Sequence, residues 1–217
     1  MSDDLRKGSA RAIESVTEAL GEKPVFAYSK VHVSDYLGAR ALADLKFRIV
    51  ETNVTLEKPL GRKRGQTGSG EARLAVPGDR EAVAGVAGRS FLYSRFHADP
   101  LIPAGMANEI KARWAENFFL GKRGDSMIVA GVGSRITGFL QLLHSERELV
   151  IDLIAVDPEF RKRGTARNMI TFAANRLDGF DRMRVGTQVA NIPSVRLYES
   201  LGFRVANATY VFHFHNL

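Results

Sequence analysis

The sequence predicts an α/β protein in which strands and helices alternate along the chain. Two observations support this fold class. Segments with apolar–polar alternation and many β-branched residues recur at intervals, as strands do, and segments with apolar residues three and four positions apart lie between them, as amphipathic helices do. The composition agrees, since 45% of the 217 residues are hydrophobic and 25% are charged, as in ordinary globular proteins.

A small α/β unit is predicted at the N-terminus, over residues 1–58. Its strands carry the alternation of VFAYSKVHV and FRIVETNVTLEK, and its second helix opens on Ser34, a residue type that caps helix N-termini well. The following PLGRKRGQTGSG is glycine-rich, basic and aperiodic, which predicts a linker over 59–70. The elements predicted for the unit are a helix at 9–20, a strand at 25–33, a helix at 34–45 and a strand at 47–58.

A larger α/β domain is predicted over residues 71–217. Its most informative elements are a β-hairpin, with strands at 126–132 and 135–145, and the nearly all-apolar strand LVIDLIAV at 149–156, which we expect to be buried on both faces. Before the hairpin we expect a strand at 72–77, helices at 79–91 and 106–122, and an irregular stretch at 92–103. After LVIDLIAV we expect helices at 165–177 and 193–202, and strands at 183–190 and 203–215.

An internal echo links the two parts of the chain. ALADLKFR at 41–48 lines up with LYESLGFR at 197–204, with three of eight positions identical, and each predicts a helix end that leads into a strand. Chance is one explanation. If the echo is real, the N-terminal unit is a partial copy of the C-terminal part, and Leu42 stands where Tyr198 stands, without phenol chemistry.

The composition excludes several classes of chemistry and partner. The chain has no cysteine, so disulfides, thiolate metal sites and a cysteine nucleophile are excluded. No apolar run approaches the roughly 20 residues that span a bilayer, and the first residues lack the apolar core of a secretory signal, so we expect a cytoplasmic protein without a membrane partner. The net charge of +7 attracts polyanions without indicating which one.

The stretch DPEFRKRGTA at 157–166 poses the central question about function. Three basic residues, 161–163, run into Gly164 and then into a predicted helix, whose N-terminus offers unpaired N–H groups. A phosphate cradle is one interpretation, since phosphates bind helix N-termini and glycine lets the backbone approach a ligand closely. A solvated basic turn and a nucleic-acid contact are the alternatives, although no helix-turn-helix, aromatic RNA-binding strand or zinc-ligand set accompanies the basic run.

Two motifs resemble the GCN5-related N-acetyltransferase (GNAT) family and favour the phosphate cradle. IAVDPEFRKRGTARNMI is similar to the family's motif A, in which Arg/Gln-x-x-Gly-x-Gly/Ala joins a strand to a helix. NIPSVRLYESLGF, further along the chain, resembles the family's second segment, with Ser194 in place of the usual alanine. The matching positions are Arg161, Gly164 and Ala166 in the first motif, and Asn191, Tyr198, Gly202 and Phe203 in the second.

The resemblance implies a GNAT fold over roughly residues 71–217: a mixed, mostly antiparallel central sheet flanked by helices, with two central strands splayed apart. It implies acetyl-CoA as co-substrate and no metal. Backbone N–H groups in the stretch Ile154, Ala155 and Val156 are expected to face the gap between the splayed strands. The remaining cofactor-binding positions are Arg161, Lys162, Arg163, Gly164, Thr165, Ala166, Ser194 and Asn191, the last of which alternatively caps a helix.

Tyr198 matches the family's general acid, and Asp152 is the candidate base. A phenol with a pKa near about 10 is protonated at neutral pH and suits donation to a thiolate. Packing of a helix against the sheet is the alternative role for Tyr198. Asp152 lies inside an apolar strand, where a carboxylate is costly unless it is partnered or used. It either takes the proton from the amine or pairs with an arginine as a structural acid.

The acceptor is expected to be a small-molecule amine that meets Arg95, His97 and Asp99 in the stretch SRFHADP, because such loops often build binding sites. A narrower likeness within the family, carried by RSFLYSRFHADP, the tryptophan helix and the small N-terminal unit, implies a nucleotide-linked amino sugar. A peptide amine or another small amine is the alternative within the family. A non-catalytic nucleic-acid-binding module is the alternative outside it, and a homodimer is compatible with all of these.

Two residue pairs are interpreted as structural. His213 and His215 alternate on the last strand without a visible third ligand, so we expect surface residues and no metal. Trp114 and Phe118 lie one helical turn apart, which is typical of a core face.

Overall fold

The computed structural model describes residues 25–61 and 72–216. The predicted helix at 9–20 and the linker beyond residue 61 lie outside the described residues. In chain order the elements are β1 (Val25–His32), α1 (Tyr36–Asp44), β2 (Arg48–Pro59), β3 (Ala72–Leu74), α2 (Arg80–Ser90), α3 (Arg95–Ala98), α4 (Ala104–Phe119), β4 (Ser126–Val132), β5 (Arg135–Ser145), β6 (Glu148–Val156), α5 (Thr165–Arg176), β7 (Arg182–Gln188), α6 (Ile192–Ser200) and β8 (Arg204–Asn216).

The chain forms two compact units, and the boundary between them differs from the predicted one. One unit holds the described residues from 25 to 53 and from 208 to 216, and the other holds the described residues from 54 to 207. The division falls inside β2 and β8 instead of at the predicted linker, because both strands contribute residues to both units.

The first unit contains β1, α1 and the adjoining parts of β2 and β8. β1 pairs antiparallel with β8, from Val25 opposite Asn216 to His32 opposite Thr209. The predicted cap of α1 was wrong by one residue. Asp35 caps the helix, since its carboxylate accepts a hydrogen bond from the Gly38 N–H at 2.9 Å, whereas the Ser34 hydroxyl bonds to the His32 ring at 2.6 Å.

The internal echo extends to the hydrogen bonds of the helix α1 and its counterpart α6, 156 positions later. Asp35 and Asn191 cap the two helices in the same way, each accepting from the N–H three residues on. At the other end, the Phe47 N–H donates to Leu42 O at 2.9 Å, and the Phe203 N–H donates to Tyr198 O at 3.0 Å. Two segments that share caps, turn bonds and a following strand support the interpretation of the N-terminal unit as a partial copy.

The strands follow a single order, β1-β8-β2-β7-β6-β5-β4-β3. β6 and β7 pair in parallel, while β3 with β4, β4 with β5, and β5 with β6 pair antiparallel. The predicted mixed, mostly antiparallel sheet is therefore confirmed. A parallel pair needs a crossover connection, which here is the helix α5 between β6 and β7.

Helices α2 and α4 cover one face of the hairpin β4–β5 and of β6. Among the described residues no helix is both long and apolar enough to cross a membrane. The stretch at 92–103, predicted as irregular, contains the helical turn α3, because the N–H groups of His97 and Ala98 both bond to Ser94 O. The core cluster behind these helices consists of Val83, Val86, Ala87, Ala115, Met127, Val129, Phe139, Leu153 and Ala155.

Strand β6 does not match the prediction of burial on both faces. Its residues alternate between buried and half-buried along the whole strand, from Glu148 to Val156. One side is packed, and the other is partly open. The apolar run in the sequence could not distinguish a strand buried on both faces from one buried on a single face, since Val and Ile occur on half-exposed faces as well as in cores.

Helix α5 approaches the sheet closely at Gly138 of β5. A side chain there would begin 3.0 Å from Ala155 O, 3.2 Å from Met169 Cε and 3.3 Å from Thr165 Cγ2. Only a residue without a Cβ lets the first turn of the helix lie this near to the strands. Gly138 thus helps to fix the position of the basic turn that precedes α5.

Asp157 anchors the start of that turn. Its side chain is 1% exposed and accepts hydrogen bonds from Arg89 at 2.7 Å, from Arg135 at 3.2 Å and from the Glu159 N–H at 3.1 Å. Burial by itself raises the pKa of Asp157, but the hydrogen bonds from Arg89, Glu159 and Arg135 outweigh it and hold the pKa below its usual value. One carboxylate therefore connects α2, β5 and the turn.

Replacement of this carboxylate is expected to destabilise the fold in a pH-dependent way. Asp157→Asn removes charge-assisted hydrogen bonds, which are worth about 2 kcal/mol, or about 5 °C in Tm for a chain of this size. The pKa of Asp157 is lower in the folded than in the unfolded chain. Its contribution is therefore fully present above the unfolded pKa of about 3.9 and is lost as pH falls through the folded pKa.

Thermal unfolding between pH 7 and pH 3 checks this expectation. The Tm difference between wild type and Asp157→Asn should be largest at neutral pH and should shrink below about pH 4. Asp44→Asn is the control, because Asp44 is exposed at the end of α1. A pH-independent difference, or none at neutral pH, contradicts the anchoring role.

Candidate active site

A gap opens between the two parallel central strands. β6 and β7 pair only from Glu148 opposite Arg182 to Ile151 opposite Val185, although the strands continue to Val156 and Gln188. Beyond Ile151 the two strands no longer share hydrogen bonds. The splay that the family resemblance implied is confirmed, and it leaves backbone groups without strand partners.

The pairing of β6 with β5 determines which backbone N–H groups point into this gap. The Asp157 N–H donates to Thr137 O at 2.8 Å, and Ala155 is opposite Phe139 in the same antiparallel ladder. Because N–H directions alternate along a strand, the Ala155 N–H points toward β5 and those of Ile154 and Val156 point toward the gap. Of the three positions predicted to present an N–H group to the gap, the geometry therefore favours Ile154 and Val156.

The basic turn presents a continuous row of unused donors. None of the backbone N–H groups from Lys162 to Arg167 donates to an acceptor among the described residues, and the first amide in use beyond them is that of Asn168, which bonds to Gly164 O. Lys162 and Gly164 both have positive φ, of 62° and 83°. Left-handed residues within a turn make successive N–H groups converge, which produces an anion-binding concavity.

The side chains of the turn play different parts from those expected. Arg161 donates to Val156 O at 3.2 Å and to Ser90 O at 2.6 Å, so its guanidinium ties the turn to β6 and α2. Arg163 donates to Glu159 O at 3.2 Å and lies over the Phe160 ring at 5.0 Å. Lys162 is exposed and forms no hydrogen bond or ion pair within the described residues.

These features fit a diphosphate. The open concavity lies at the positive end of the α5 macrodipole, where Gly164 is the N-cap, Thr165 and Ala166 open the helix, and a Cβ at Gly164 would meet no atom within 4 Å. The donors are mainly backbone N–H groups, with Lys162 and Arg163 supplying positive charge nearby. The gap and the cradle lie at the two ends of one short connection, from Val156 to Thr165.

Asp152 is held by two side chains. Arg123 donates to both of its carboxylate oxygens, at 2.7 and 2.5 Å, and Gln141 Nε2 donates to Oδ2 at 2.9 Å. The contacts match the structural alternative, an acid paired with an arginine. These contacts are explained without a role for Asp152 as a base.

Asp152 also forms a β-bulge that the sequence did not reveal. Gln141 is opposite Leu153 and Leu142 is opposite Ile151, so Asp152 is left without a partner in the β5 ladder. A bulge re-aims a side chain and bends the strand. The costly carboxylate in an apolar strand was a signal that a cation must be near, but nothing in the spacing identified Arg123 or Gln141.

Tyr198 lies on α6 with its ring 2% exposed, at 5.5 Å from the Phe203 ring. Burial raises the pKa of the Tyr198 phenol well above its usual value, so the group is protonated at neutral pH. Its hydroxyl forms no hydrogen bond to any described residue. Packing fixes the ring, and a role of the hydroxyl as a general acid stays a prediction.

Asn191 caps α6. Its side chain accepts from the Ser194 N–H at 3.3 Å and donates to Thr187 at 3.4 Å, which joins the helix to the end of β7. The capping alternative therefore accounts for its contacts, and the Ser194 N–H is already engaged. A cofactor role for either residue stays a prediction.

The stretch SRFHADP holds its polar residues in defined contacts. His97 uses both ring nitrogens, with Ser94 Oγ at 2.6 Å and Asn108 Oδ1 at 2.9 Å. Asp99 is buried and accepts from the Leu101 N–H at 2.9 Å, and Arg95 lies over the Phe96 ring at 4.8 Å. The histidine is oriented by its neighbours, and an acceptor role for the three residues stays a prediction.

Two structural expectations have different outcomes. The core position of Trp114 and Phe118 is confirmed, since both pack against the main cluster and Trp114 meets Phe96 edge-on at 5.4 Å. The surface position of the histidines was wrong for His213, which is 1% exposed and packs edge-on against Phe26. A histidine on a strand can be buried when it packs against an aromatic ring, as His213 does against Phe26.

Comparisons with known proteins agree with this geometry. The model of the acetyltransferase (GNAT) family matches residues 90–203, which include the gap, the cradle and Tyr198. The chain is 34% identical over 142 residues to the spore coat polysaccharide biosynthesis protein SpsD of Bacillus subtilis, covering 63% of this chain and 48% of that protein. It thus spans about half the length of that relative.

A second relative and two solved structures add to the family assignment. The ribosomal protein bS18-alanine N-acetyltransferase of Salmonella typhimurium is 29% identical over 112 residues, 48% of this chain and 76% of that protein. The GCN5-related N-acetyltransferase from Sphaerobacter thermophilus has a TM-score of 0.61 at 16% identity, covering 97% of this chain and 66% of that one. A tandem GNAT protein from the clavulanic acid biosynthesis pathway has a TM-score of 0.60 at 12% identity, covering 97% and 69%.

These matches support an acyltransferase enzyme over a non-catalytic module. Because the family model matches more than half of the chain and the solved structures share its fold, the chain belongs to the acetyltransferase (GNAT) family of enzymes.

Proposed function

We propose that this enzyme transfers an acetyl group from acetyl-CoA to the nitrogen of an amine. The observation that carries the proposal is the gap between β6 and β7 next to a turn whose six N–H groups, 162–167, donate to no acceptor among the described residues. A long ligand with a diphosphate at one place and an amide-bearing arm beyond it fits this arrangement. Acetyl-CoA, when bound, supplies an activated acetyl thioester.

The backbone has the binding role in this proposal. The N–H groups of the turn hold the diphosphate, and those of Ile154 and Val156 hold the arm and orient the reacting carbonyl oxygen. Donors fixed in advance at such an oxygen are worth about 3 kcal/mol in other acyl-transfer sites. Arg161 acts indirectly, since its bonds to Val156 O and Ser90 O keep the turn in position.

Tyr198 is the proposed general acid. Its buried phenol stays protonated and has no hydrogen-bond partner among the described residues, so the proton at its oxygen can pass to the sulfur as the C–S bond breaks. The nitrogen that has bonded to the acetyl carbon gives up a proton in the same reaction, and this proton restores the phenol. The alternative role, packing of α6, uses the ring and not the hydroxyl. The two roles are separable by removing the oxygen alone.

Asp152 is proposed to hold the bend in β6 that opens the gap, and not to act as the base. The carboxylate is engaged by Arg123 and Gln141, and the bulge at Asp152 begins where the pairing of β6 with β7 ends. A bend at this residue turns the rest of β6 away from β7. The ion pair with Arg123 then keeps the bend in place.

The acceptor is proposed to be a nucleotide-linked amino sugar. Two likenesses support this. SpsD, the relative at 34% identity, is named for polysaccharide biosynthesis, and the layout of the chain resembles dTDP-fucosamine N-acetyltransferase, which acetylates a 4-amino-4,6-dideoxy sugar on a nucleotide. The likeness to an alanine N-acetyltransferase favours a peptide α-amine as the second candidate.

A panel of amines tests the proposed function. Thiol release from acetyl-CoA should rise with dTDP-linked or UDP-linked amino sugars and remain near background with a peptide that carries an N-terminal alanine. Faster turnover with the peptide overturns the acceptor proposal but leaves acetyl transfer intact. No thiol release with any amine, together with no binding of CoA in calorimetry, contradicts acetyl transfer itself.

Tyr198→Phe tests the general acid. Turnover should fall by roughly 100-fold, the lower end of what general acid catalysis contributes, while CoA affinity and Tm remain near wild type because the hydroxyl bonds to none of the described residues. Tyr36→Phe is the matched control, since Tyr36 is 74% exposed on α1. Turnover near wild type across the whole pH range contradicts the assignment.

Asp152→Asn separates the anchor from the base. As an anchor, Asp152 contributes to stability, so the variant should lose about 2 kcal/mol in free energy of unfolding and bind CoA less tightly. The shape of the pH profile of kcat/KM should not change. Loss of the acidic limb of that profile, with Tm unchanged, indicates a base instead.

A further inference from the structure

A buried lysine lies on the core face of helix α4. The buried residues of this helix are Ala107, Lys111 and Ala115, which are spaced four apart and therefore share one face. Lys111 is 7% exposed, and a charge taken out of water is costly unless the protein uses it. A methionine or a leucine would fill the same space without this cost. A lysine in this row therefore calls for a role that an apolar side chain cannot fill.

Three aromatic rings surround the Lys111 ammonium. Its Nζ lies 4.8 Å from the centre of the Phe91 ring and 4.7 Å from that of Trp114. The Phe96 ring is the third, at 5.8 Å. A cation within about 6 Å of a ring centre is attracted to the ring face, and more strongly away from water. Because Phe91 ends α2, Phe96 belongs to α3 and Trp114 belongs to α4, one cation connects three helices.

We propose that Lys111 is a positioning residue for the acceptor, because its ammonium among the three rings fixes the segment 91–98 against α4. The inference rests on the proposed function, since it takes the predicted acceptor residues Arg95, His97 and Asp99 to meet the amine. Lys111 itself is too buried to reach a bound molecule. It acts through the residues that it holds in place.

Two contacts link Lys111 to the predicted acceptor residues. Arg95 lies over the Phe96 ring at 4.8 Å, so a shift of this ring moves the guanidinium with it. His97 follows Phe96 in the chain and bonds through Nε2 to Asn108 Oδ1 at 2.9 Å. Asn108 and Lys111 lie about one turn apart on α4, so both hold the short helix α3 from the same side.

The segment has few other contacts that fix its position. Leu92 and Tyr93, which follow Phe91, are exposed and add little packing. Apolar packing is also non-directional, whereas a cation is attracted to the face of each ring. A lysine therefore orients Phe91 and Phe96 in a way that a methionine in its place would not.

Steady-state kinetics of two variants test the proposal, with the amine that wild type acetylates fastest as acceptor. Lys111→Met removes the charge, and Phe96→Leu removes the ring that carries Arg95. Each should raise the KM for the amine by roughly tenfold and leave the KM for acetyl-CoA unchanged, since small displacements of positioning groups cost up to about 100-fold. The double variant should be no worse than either single variant, because both remove the same contact.

Two further variants complete the set. Lys111→Arg keeps a cation among the rings and should remain near wild type in the KM for the amine. Lys122→Met is the matched control, because Lys122 is exposed just beyond α4. Calorimetry with CoA shows that each variant retains its cofactor site, and Phe96→Leu decides the case if Lys111→Met does not fold.

The outcomes distinguish this proposal from the function on which it rests. If Lys111→Met changes Tm but leaves the KM for the amine at the wild-type value, Lys111 is only structural, and the proposal is overturned while acetyl transfer stands. Equal rises in the KM for both substrates, or additive effects in the double variant, indicate a general loosening of the fold and also overturn it. If wild type acetylates no amine, the proposed function fails and the role of Lys111 fails with it.

Discussion

The parting of β6 from β7 after Ile151 is the constraint on which the rest of the site depends. A parallel pair satisfies its backbone groups within the sheet, so a ligand can use them only where the pairing stops. The pairing stops where Asp152 bulges out of the β5 ladder. The same residue is gripped by Arg123 and Gln141, which gives the bend a fixed support.

The turn between β6 and α5 also presents backbone groups that a ligand can use. Asp157 and Arg161 use their side chains to tie the turn to α2 and β5, while the backbone N–H groups of residues 162–167 donate to no acceptor among the described residues. The charged side chains of Asp157 and Arg161 therefore hold the turn in place, and the backbone N–H groups are the donors left for a ligand. The basic run RKR has a divided role, since Arg161 is structural while Lys162 and Arg163 remain near the open face.

Most of the elements and the conformation of the turn at Gly164 could be predicted because each has a local signal, whereas the roles of the turn and of Tyr198 stay predictions. Alternation marked β1 and β2, glycine marked the cradle at Gly164, and motif spacing marked the phenol. The bulge, the Arg123–Asp152 pair and the closure of Arg161 onto Ser90 join residues far apart in the chain, and no local pattern encodes such contacts. His213 was misjudged for the same reason, since its burial depends on Phe26, a distant neighbour across the strands.

Residue-resolved amide hydrogen exchange, with and without CoA, tests the central claim most directly. In the free enzyme the amides of Ile154, Val156 and residues 162–167 should exchange quickly while that of Ala155 is protected, and CoA should slow the fast group selectively. Protection of Ile154 and Val156 in the free enzyme would mean that the strands are paired and the gap is closed. Unchanged exchange at these amides under saturating CoA would equally contradict the account.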